Sequence, residues 1–356
     1  MKTSPLLISL LALTGLALAQ DSNWTAQTSG VTARLRGVSA VNAKVAWASG
    51  ADLSLLRTAD GGANWIKLKP PADADKLDFR DIDAIDERTA YALSIGPGPA
   101  SRIYKTVDAG ASWQLQHQNT EAQGFYDAMT FWDARHGLVV GDSIDGRFQI
   151  LVTRDGGAHW DKVPDAALPP ALPGEGAFAG SGSNIAVMGS GQDRREAWIV
   201  TNSPGRSRVL HTADGGKRWQ VVDTPLAASA TAGIFSVHFR DRLHGVIVGG
   251  DYKQEQAAVD NAAFTSDGGK TWTLVKQPQG LSGFRSVVKH LPGSKSSWIA
   301  VGPQGADRSD DDGKTWQPMP LAAGMAGFDA LSFAPGLKQG WASGAAGALA
   351  GLRLAR

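Results

Sequence analysis

Carboxylates are the most regularly placed chemical groups in this 356-residue chain. Six of them occupy the third position of one eight-residue pattern, S/T-x-D-x-G-x-x-W, hereafter called the box: Asp60, Asp108, Asp155, Asp214, Asp267 and Asp311. Carboxylates can hold a metal ion or act as general acids. Because only one lies in each repeat, however, these aspartates are too dispersed to converge on one substrate.

The box has the composition of a tight turn. Its aspartate can accept hydrogen bonds from main-chain N–H groups within the turn, and its glycines allow positive φ angles that other residues resist. Its tryptophan supplies an apolar plate that can wedge between two sheets. We therefore expect six structural aspartates, with no bound metal and no cofactor.

A second set of candidates lies outside the boxes. The segments that begin six of the repeats can be aligned; none is found for the fourth. One column contains Arg36, Arg80, Tyr126, Phe235, Arg285 and Phe328, and the next contains Gly37, Asp81, Asp127, Ser236, Ser286 and Asp329. Guanidinium groups near one axis could recognise carboxylates or a peptide, and they could equally form ion pairs between neighbouring sheets. Residues of the long connections are expected to form a polar cluster with Asp127 at the mouth of blades 3 and 4: Asp142, Asp145, Arg147 and Glu175.

The residue types give catalysis less support. Two facing carboxylates such as Asp127 and Glu175 could hydrolyse a glycoside, which keeps a glycoside hydrolase as the alternative function. A sialidase needs a tyrosine nucleophile, and two of the four tyrosines lie in repeat strands. The seven histidines are scattered without metal-ligand spacing, and the glycine-rich segment 180–191 matches no phosphate-binding loop.

The elements that must position these residues are short strands. The box tryptophans recur at intervals of 44 to 59 residues, and each repeat contains an apolar, glycine-bounded run about 17 to 25 residues before its tryptophan. Such periods and runs are typical of four-stranded propeller blades. We predict an all-β, seven-bladed β-propeller with antiparallel blades, spanning residues 20–356 as a single domain. Trp24, placed like a box tryptophan, indicates that the N-terminal strand completes the last blade.

Propeller geometry separates the connections between two faces. The turns that contain the boxes lie on one face, where every connection is short. The long connections lie on the opposite face and belong to the third, fourth and fifth blades: 141–147, 164–176, 201–207 and 250–262. Long loops on a rigid scaffold are where binding usually resides, so we expect the binding surface on this upper face.

The first nineteen residues have the features of a secretory signal peptide: a lysine near the start, an apolar run and a small-residue cleavage site at Ala17–Ala19. Its removal takes one positive charge from a net charge of +1, which leaves a nearly neutral protein. We therefore expect a periplasmic or secreted monomer that binds no nucleic acid and has no membrane span after cleavage.

The S/T-x-D-x-G-x-x-W pattern resembles the Asp box, or BNR repeat, of sialidases and related propellers. The repeat period and the segment "FYDAMTFWDARHGLVVGDSIDGRFQILVTRDGGAHW" (125–160) resemble one branch, the photosystem II stability/assembly factor-like family. This resemblance covers about residues 24–356 and implies a non-enzymatic assembly propeller, whose photosystem role would require a phototrophic host. We therefore predict an exported, non-catalytic propeller that binds a protein or peptide partner.

Overall fold

The predicted fold is confirmed. The computed structural model describes residues 23–191 and 194–354, which form seven antiparallel sheets of four strands each. The innermost strands of successive blades contact one another in cyclic order, and the innermost strand of blade 7 contacts that of blade 1. The described chain therefore closes into a ring around a central channel.

The strands are numbered along the chain and grouped by blade, from the channel outward. Blade 1 contains β2 (Leu35–Ala40), β3 (Ala46–Gly50), β4 (Ser54–Thr58) and β5 (Ile66–Lys67), and blade 2 contains β6 (Asp78–Ala84), β7 (Ala90–Ile95), β8 (Arg102–Thr106) and β9 (Gln114–Gln118). Blade 3 contains β10 (Tyr126–Phe131), β11 (Gly137–Ile144), β12 (Arg147–Thr153) and β13 (Asp161–Lys162). Blade 4 contains β14 (Ile185–Met188), β15 (Glu196–Ser203), β16 (Arg206–Thr212) and β17 (Gln220–Thr224).

Blade 5 contains β18 (Ala232–Phe239), β19 (Gly245–Asp251), β20 (Ala262–Thr265) and β21 (Thr273–Leu274). Blade 6 contains β22 (Val287–His290), β23 (Trp298–Gly302), β24 (Gly305–Ser309) and β25 (Gln317–Met319). Blade 7 contains β26 (Ala330–Phe333), β27 (Gln339–Ser343), β28 (Leu349–Arg353) and β1 (Trp24–Gln27). Short 3-10 helices occupy Gly98–Ala100, Asp165–Ala167 and Ala345–Gly347. None of the helices in the described part of the chain is long and apolar enough to cross a membrane.

The N-terminal strand completes the last blade, as the sequence predicts. β1 pairs with β28 in antiparallel register from Trp24 opposite Leu352 to Gln27 opposite Leu349. The Trp24 ring stacks on Phe328, with ring centroids 4.9 Å apart. Pairing the first strand with the last covers two sheet edges that would otherwise be exposed.

Two of the predicted long connections are hairpins rather than loops. β11 and β12 remain paired up to the two-residue turn of Asp145 and Gly146. β15 and β16 remain paired up to the two-residue turn of Pro204 and Gly205. Asp145 and Gly146 both have positive φ, as two-residue hairpin turns require. The connection 164–176 is irregular apart from the one-turn helix at Asp165–Ala167 and a single bridge from Gly176 to Asn202. The connection 250–262 is irregular between the end of β19 at Asp251 and the start of β20 at Ala262.

Each box forms a closed turn of hydrogen bonds, which blade 5 illustrates. The Thr265 hydroxyl donates to Oδ1 of Asp267 (2.8 Å) and accepts from the N–H of Gly269 (3.0 Å). The same carboxylate accepts from the N–H of Thr271 (3.0 Å) and from its hydroxyl (2.6 Å). The first-position hydroxyl makes the same bond to the aspartate in the other boxes, from Thr58, Thr106, Thr153, Thr212 and Ser309.

These bonds favour the ionised carboxylate. The main-chain N–H and side-chain amide of Asn64 hold the pKa of Asp60 at about 2. The hydroxyl and main-chain N–H of Ser112 hold the pKa of Asp108 at about 2 as well. The box carboxylates are therefore occupied by donors of their own turns.

Boxes also join neighbouring blades. The hydroxyl of Tyr91 in blade 2 donates to the carbonyl of Gly156 in the box of blade 3 (2.6 Å). The indole N–H of Trp198 in blade 4 donates to the carbonyl of Gly268 in the box of blade 5 (2.9 Å). Because both aromatic side chains are fully buried, each of these boxes is fixed to the blade before it.

Candidate functional site at the channel mouth

A cavity of about 440 Å³ lies at one mouth of the central channel. β-bulges aim several side chains into it. The inner strands of blades 1, 2, 3 and 5 each skip one residue in their pairing, and the skipped residues are Arg36, Arg80, Asp127 and Phe235. All four line the cavity, together with Ser286 of blade 6 and Asp329 of blade 7. Bulges commonly re-aim a side chain in this way.

This arrangement corrects the aligned columns of the sequence analysis. Arg36 and Arg80 hold the predicted position, whereas in blades 3 and 6 the side chain that lines the cavity comes from the next residue, Asp127 or Ser286. Tyr126 does not line the cavity, and its hydroxyl lies 3.0 Å from Nε2 of His117. In blade 3 the bulge lies one residue later in the alignment than in blades 1 and 2, which an ungapped alignment does not show.

A glycine-rich segment forms the floor of the cavity. Residues 177–184, hereafter the strap, precede the inner strand of blade 4 and contact the inner strands of other blades. Arg80 donates to the carbonyl of Ala179 (2.9 Å), and Arg36 donates to that of Gly180 (3.3 Å). The Ser181 hydroxyl donates to the carbonyl of Ser286 (3.0 Å). The strap therefore holds contacts with blades 1, 2 and 6 at once.

Blades 7, 1 and 2 supply a cationic wall. Arg34 makes two hydrogen bonds of 2.7 Å with Asp329, and Nε of Arg80 donates to Asp78 (2.7 Å). Arg36 differs from both, because no carboxylate of the described chain lies within salt-bridge distance of it. Burial lowers the pKa of Arg36 to about 10; the charge of Asp329 and, more weakly, that of Asp78 oppose this shift, whereas the positive charges of Arg80 and Arg34 add to it. Arg36 is thus a cation without a paired anion.

Blade 3 supplies an acidic corner. Asp127 is only 1% exposed, and its Oδ2 atom has no hydrogen-bond partner within residues 23–191 and 194–354. Burial, reinforced by the nearby Asp142, raises the pKa of Asp127 well above its ordinary value, and burial raises that of Asp142 to about 6. The main-chain N–H of Ala177 opposes both shifts. No arginine of the described chain lies within salt-bridge distance of Asp127 or Asp142.

Aromatic rings form the third side of the cavity. The ring of Phe178 in the strap stacks on Phe235, with centroids 4.3 Å apart and planes 6° from parallel. Tyr252 contacts both rings edge-on, and Phe284 contacts Phe235 in the same way. Tyr252 and Glu255 come from the 250–262 connection, which places the cavity on the face where the long connections were expected.

Only part of the predicted acidic cluster faces the cavity. Asp127 and Asp142 line it, whereas Asp145 lies in the hairpin turn of blade 3. Arg147 follows that turn and forms an exposed ion pair with Asp165 (3.2 Å).

Two predicted binding residues are committed to buried ion pairs. The carboxylate of Glu175 is bonded to the guanidinium of Arg208 and to the hydroxyl of Thr201 (2.6 Å). Arg285 is 2% exposed and bonds to Asp307 within blade 6 (2.6 Å). Neither side chain lines the cavity, and Asp127 and Glu175 do not share one cleft. Glu175 and Arg285 instead hold loops in place, through Leu172 and Ser282 respectively.

Several cavity residues were not predicted from the sequence: Arg34, Phe178, Tyr252 and Glu255. Asp329 and Phe235 were in the aligned columns but were not selected. Phe178 was hidden in a segment without a repeat counterpart. In the parts of the chain that the structure describes, no group of three or more potential ligands converges to hold a metal ion.

Comparison with known sequences bears on the family. A model of the photosynthesis system II assembly factor Ycf48 family matches residues 106–226. The photosystem II assembly lipoprotein Ycf48 of Synechococcus sp. (strain CC9902) is 28% identical over 182 residues, 51% of this chain and 45% of that protein. The predicted resemblance to this family is confirmed. The match spans less than half the length of this Ycf48 relative.

Solved structures similar to this Ycf48-like propeller share its fold. Ycf48 bound to a D1 peptide is 18% identical with a TM-score of 0.65, covering 94% of this chain and 98% of that one. Ycf48 from Cyanidioschyzon merolae is 18% identical with a TM-score of 0.62, covering 93% and 98%. A GH74 xyloglucanase from Xanthomonas campestris is 17% identical with a TM-score of 0.64, covering 92% and 53%. At these identities the likeness concerns the fold.

Proposed function

We propose that this chain is an exported, non-catalytic propeller that binds a protein or peptide partner at its channel mouth, in the manner of a photosystem II assembly factor. One observation carries the proposal: the segment that matches the Ycf48 family, 106–226, contains the acidic corner and the strap. The match therefore includes blade 3 and the floor of the cavity, in addition to the boxes that any such propeller would share.

The chemistry of the cavity supports a binding role. Arg36 is a cation without a paired anion, and Asp127 has a buried oxygen without a described partner. Groups left unpaired in a cavity are costly for the free protein, and a ligand that pairs them recovers that cost on binding. Export is supported by the predicted signal peptide at residues 1–19, which lies outside the described residues, and by the lipoprotein name of the Synechococcus relative.

A D1 peptide is the most direct probe, because a structurally similar Ycf48 is seen with one bound. We expect a fluorescein-labelled D1 peptide to give saturable anisotropy with the mature protein. The variants R36Q and D127N should weaken this binding at least about tenfold, the worth of one charge-assisted hydrogen bond. The matched control is L243S, which changes an exposed side chain between the inner strands of blade 5 on the box face. Failure to bind, or equal losses in L243S, would overturn the proposal.

One observation favours a second candidate, hydrolysis of a glycoside. Asp127 and Asp142 line the same cavity, and burial raises the pKa of both, as a general acid requires. A panel of aryl glycosides tests this directly. Turnover abolished by D127N but retained in E175Q would establish catalysis at the acidic corner, because the Glu175 carboxylate is occupied by Arg208.

A further inference from the structure

The channel-mouth cavity contains two unsatisfied groups of opposite character. Arg36 carries a positive charge on the blade 1 side, and Asp127 with Asp142 presents carboxyl oxygens on the blade 3 side. Phe178, Phe235 and Tyr252 form an apolar surface on the side of blades 4 and 5. The inference below rests on the proposed function, since it assigns the chemistry of the ligand at the same site.

We propose that this cavity takes a ligand in which one apolar body carries both a cationic nitrogen and an anion. The nitrogen lies at Asp127 and Asp142, the anion at Arg36, and the apolar body against the ring cluster of Phe178 and Phe235. A partner peptide supplies these groups as oppositely charged side chains beside an apolar residue. A free amino acid supplies them as its own ammonium and carboxylate.

The acidic corner requires a donor. Oδ2 of Asp127 is buried without a described partner, and Asp142 lies close enough to influence it electrostatically. A cationic nitrogen donates to both carboxyls and compensates the repulsion between them, whereas an anion placed there would add a third acceptor. The arginines do not fill this role, because none in the described chain lies within salt-bridge distance of Asp127 or Asp142.

Arg36 requires a negatively charged hydrogen-bond acceptor. Its one described hydrogen bond, to the carbonyl of Gly180, is long at 3.3 Å and leaves most of its donors free for a ligand. Glu255 lines the cavity, but its Oε2 accepts from the side-chain amide of Gln304 (2.9 Å). A purely cationic ligand would leave Arg36 unpaired, and a purely anionic ligand would leave Asp127 unpaired. A ligand with both charges provides a partner for Arg36 and for Asp127.

The size of the cavity fits such a ligand. At about 440 Å³ it falls within the rough range of 300–1,000 Å³ that holds small molecules. It is therefore large enough for a short peptide segment or an amino acid and too small for a folded domain. The stacked rings of Phe178 and Phe235 give the apolar body a flat contact surface.

An arrayed library of N-acetylated, C-amidated tripeptides tests the proposal, because the caps remove terminal charges. Lysine, norleucine, glutamate, glutamine and phenylalanine are permuted over the three positions. We expect the tightest binders to contain lysine, glutamate and phenylalanine together. Norleucine for lysine, or glutamine for glutamate, should each weaken binding roughly tenfold.

Protein variants test which residues cause each preference of the library, for lysine or for glutamate. The preference for lysine should vanish in D127N and D142N while the preference for glutamate persists, and the reverse should hold in R36Q. Two acid variants are used so that one with an altered melting midpoint can be set aside. A lysine preference that survives in both acid variants, or no preference for either charge, overturns the proposal.

A second arm separates the two sources of the ligand. Free L-phenylalanine is compared with N-acetylphenylalanine amide and with the best tripeptide. Tight binding of the free amino acid alone assigns the site to free amino acids, and tight binding of the tripeptide assigns it to a peptide. If the D1 peptide binds while the library shows no charge preference, the proposed function stands and this inference fails. If the library shows both preferences while the D1 peptide does not bind, the inference stands and the D1-type partner is wrong.

Discussion

Arg34 and Asp329 are 295 positions apart in the chain and are joined by two hydrogen bonds of 2.7 Å. The two residues directly precede the inner strands of blade 1 and blade 7, where the ring closes, and both also line the channel-mouth cavity. Close by, the N–H of Leu35 donates to the carbonyl of Gly344 (2.9 Å). Closure of the fold and construction of the candidate site therefore use the same residues.

Replacement of Arg34 with methionine should lower the free energy of unfolding by about 2 kcal/mol, because it leaves the buried carboxylate of Asp329 without its charged donor. Urea unfolding followed by tryptophan fluorescence measures this change. The double variant R34M/D329N should recover part of the loss, since the unpaired charge is then removed as well. Additive losses in the double variant would show that the two residues are not coupled.

Removal of the residues up to Gly30 should destabilise the protein far more than an ordinary terminal truncation. It exposes the edge of β28 and removes Trp24, which is 3% exposed. W24A alone should cost about 3–5 kcal/mol, the usual range for a buried tryptophan. Calorimetry of the truncated protein, W24A and the full mature chain measures the difference. An unchanged melting midpoint on truncation would contradict closure of the ring by β1.

The boxes should make stability fall in acid. The hydrogen bonds of Ser112 hold the folded pKa of Asp108 at about 2, below its ordinary 3.8. As pH falls, the unfolded chain binds this proton before the folded chain does. The contribution is therefore present above about pH 4 and is lost as the pH falls toward 2. Melting midpoints between pH 5 and 2.5 should fall less steeply in D108N than in the wild type. Parallel curves would show that this carboxylate does not contribute to acid unfolding.

The strap contains a glycine, Gly182, at which any larger residue would displace a buried side chain. Gly182 has a φ of +70°, and a Cβ atom there would lie 2.0 Å from Oδ1 of Asp81. Gly174 has a similar φ of +64° with nothing within 4 Å of the same position, which makes it a matched control. G182A should reduce both stability and binding at the channel mouth, whereas G174A should show only the smaller strain of its backbone angle. Equal effects would mean that the strap is not packed against blade 2.

Much of the fold can be predicted from the sequence because its repeat is local. A Thr265-to-Asp267 bond or a turn at Gly269 needs only neighbouring residues, so the six boxes, the strand order and the role of Trp24 are all visible in the chain. The inner strand of blade 4, Ile185–Met188, was not recognised, because the glycine-rich strap before it has no counterpart in other repeats.

The candidate site was predicted less completely, for physical reasons. A bulge decides whether Tyr126 or Asp127 faces the channel, and bulges leave no mark in the apolar pattern. The burial of Glu175, which lies in a connection, depends on Arg208, which lies 33 positions away in β16. Such long-range pairings depend on how the blades are packed together, so residue type alone did not separate Asp142, which lines the cavity, from Glu175, which does not.

Site-specific photo-cross-linking tests most directly whether the channel mouth is the binding surface. A benzoylphenylalanine probe replaces Tyr252, which is 38% exposed beside the cavity, or Leu243, which is 53% exposed on the box face of the same blade. With the D1 peptide as ligand, we predict a cross-link from position 252 that disappears in R36Q, and none from position 243. A cross-link from position 243 alone would place recognition on the opposite face and contradict this account.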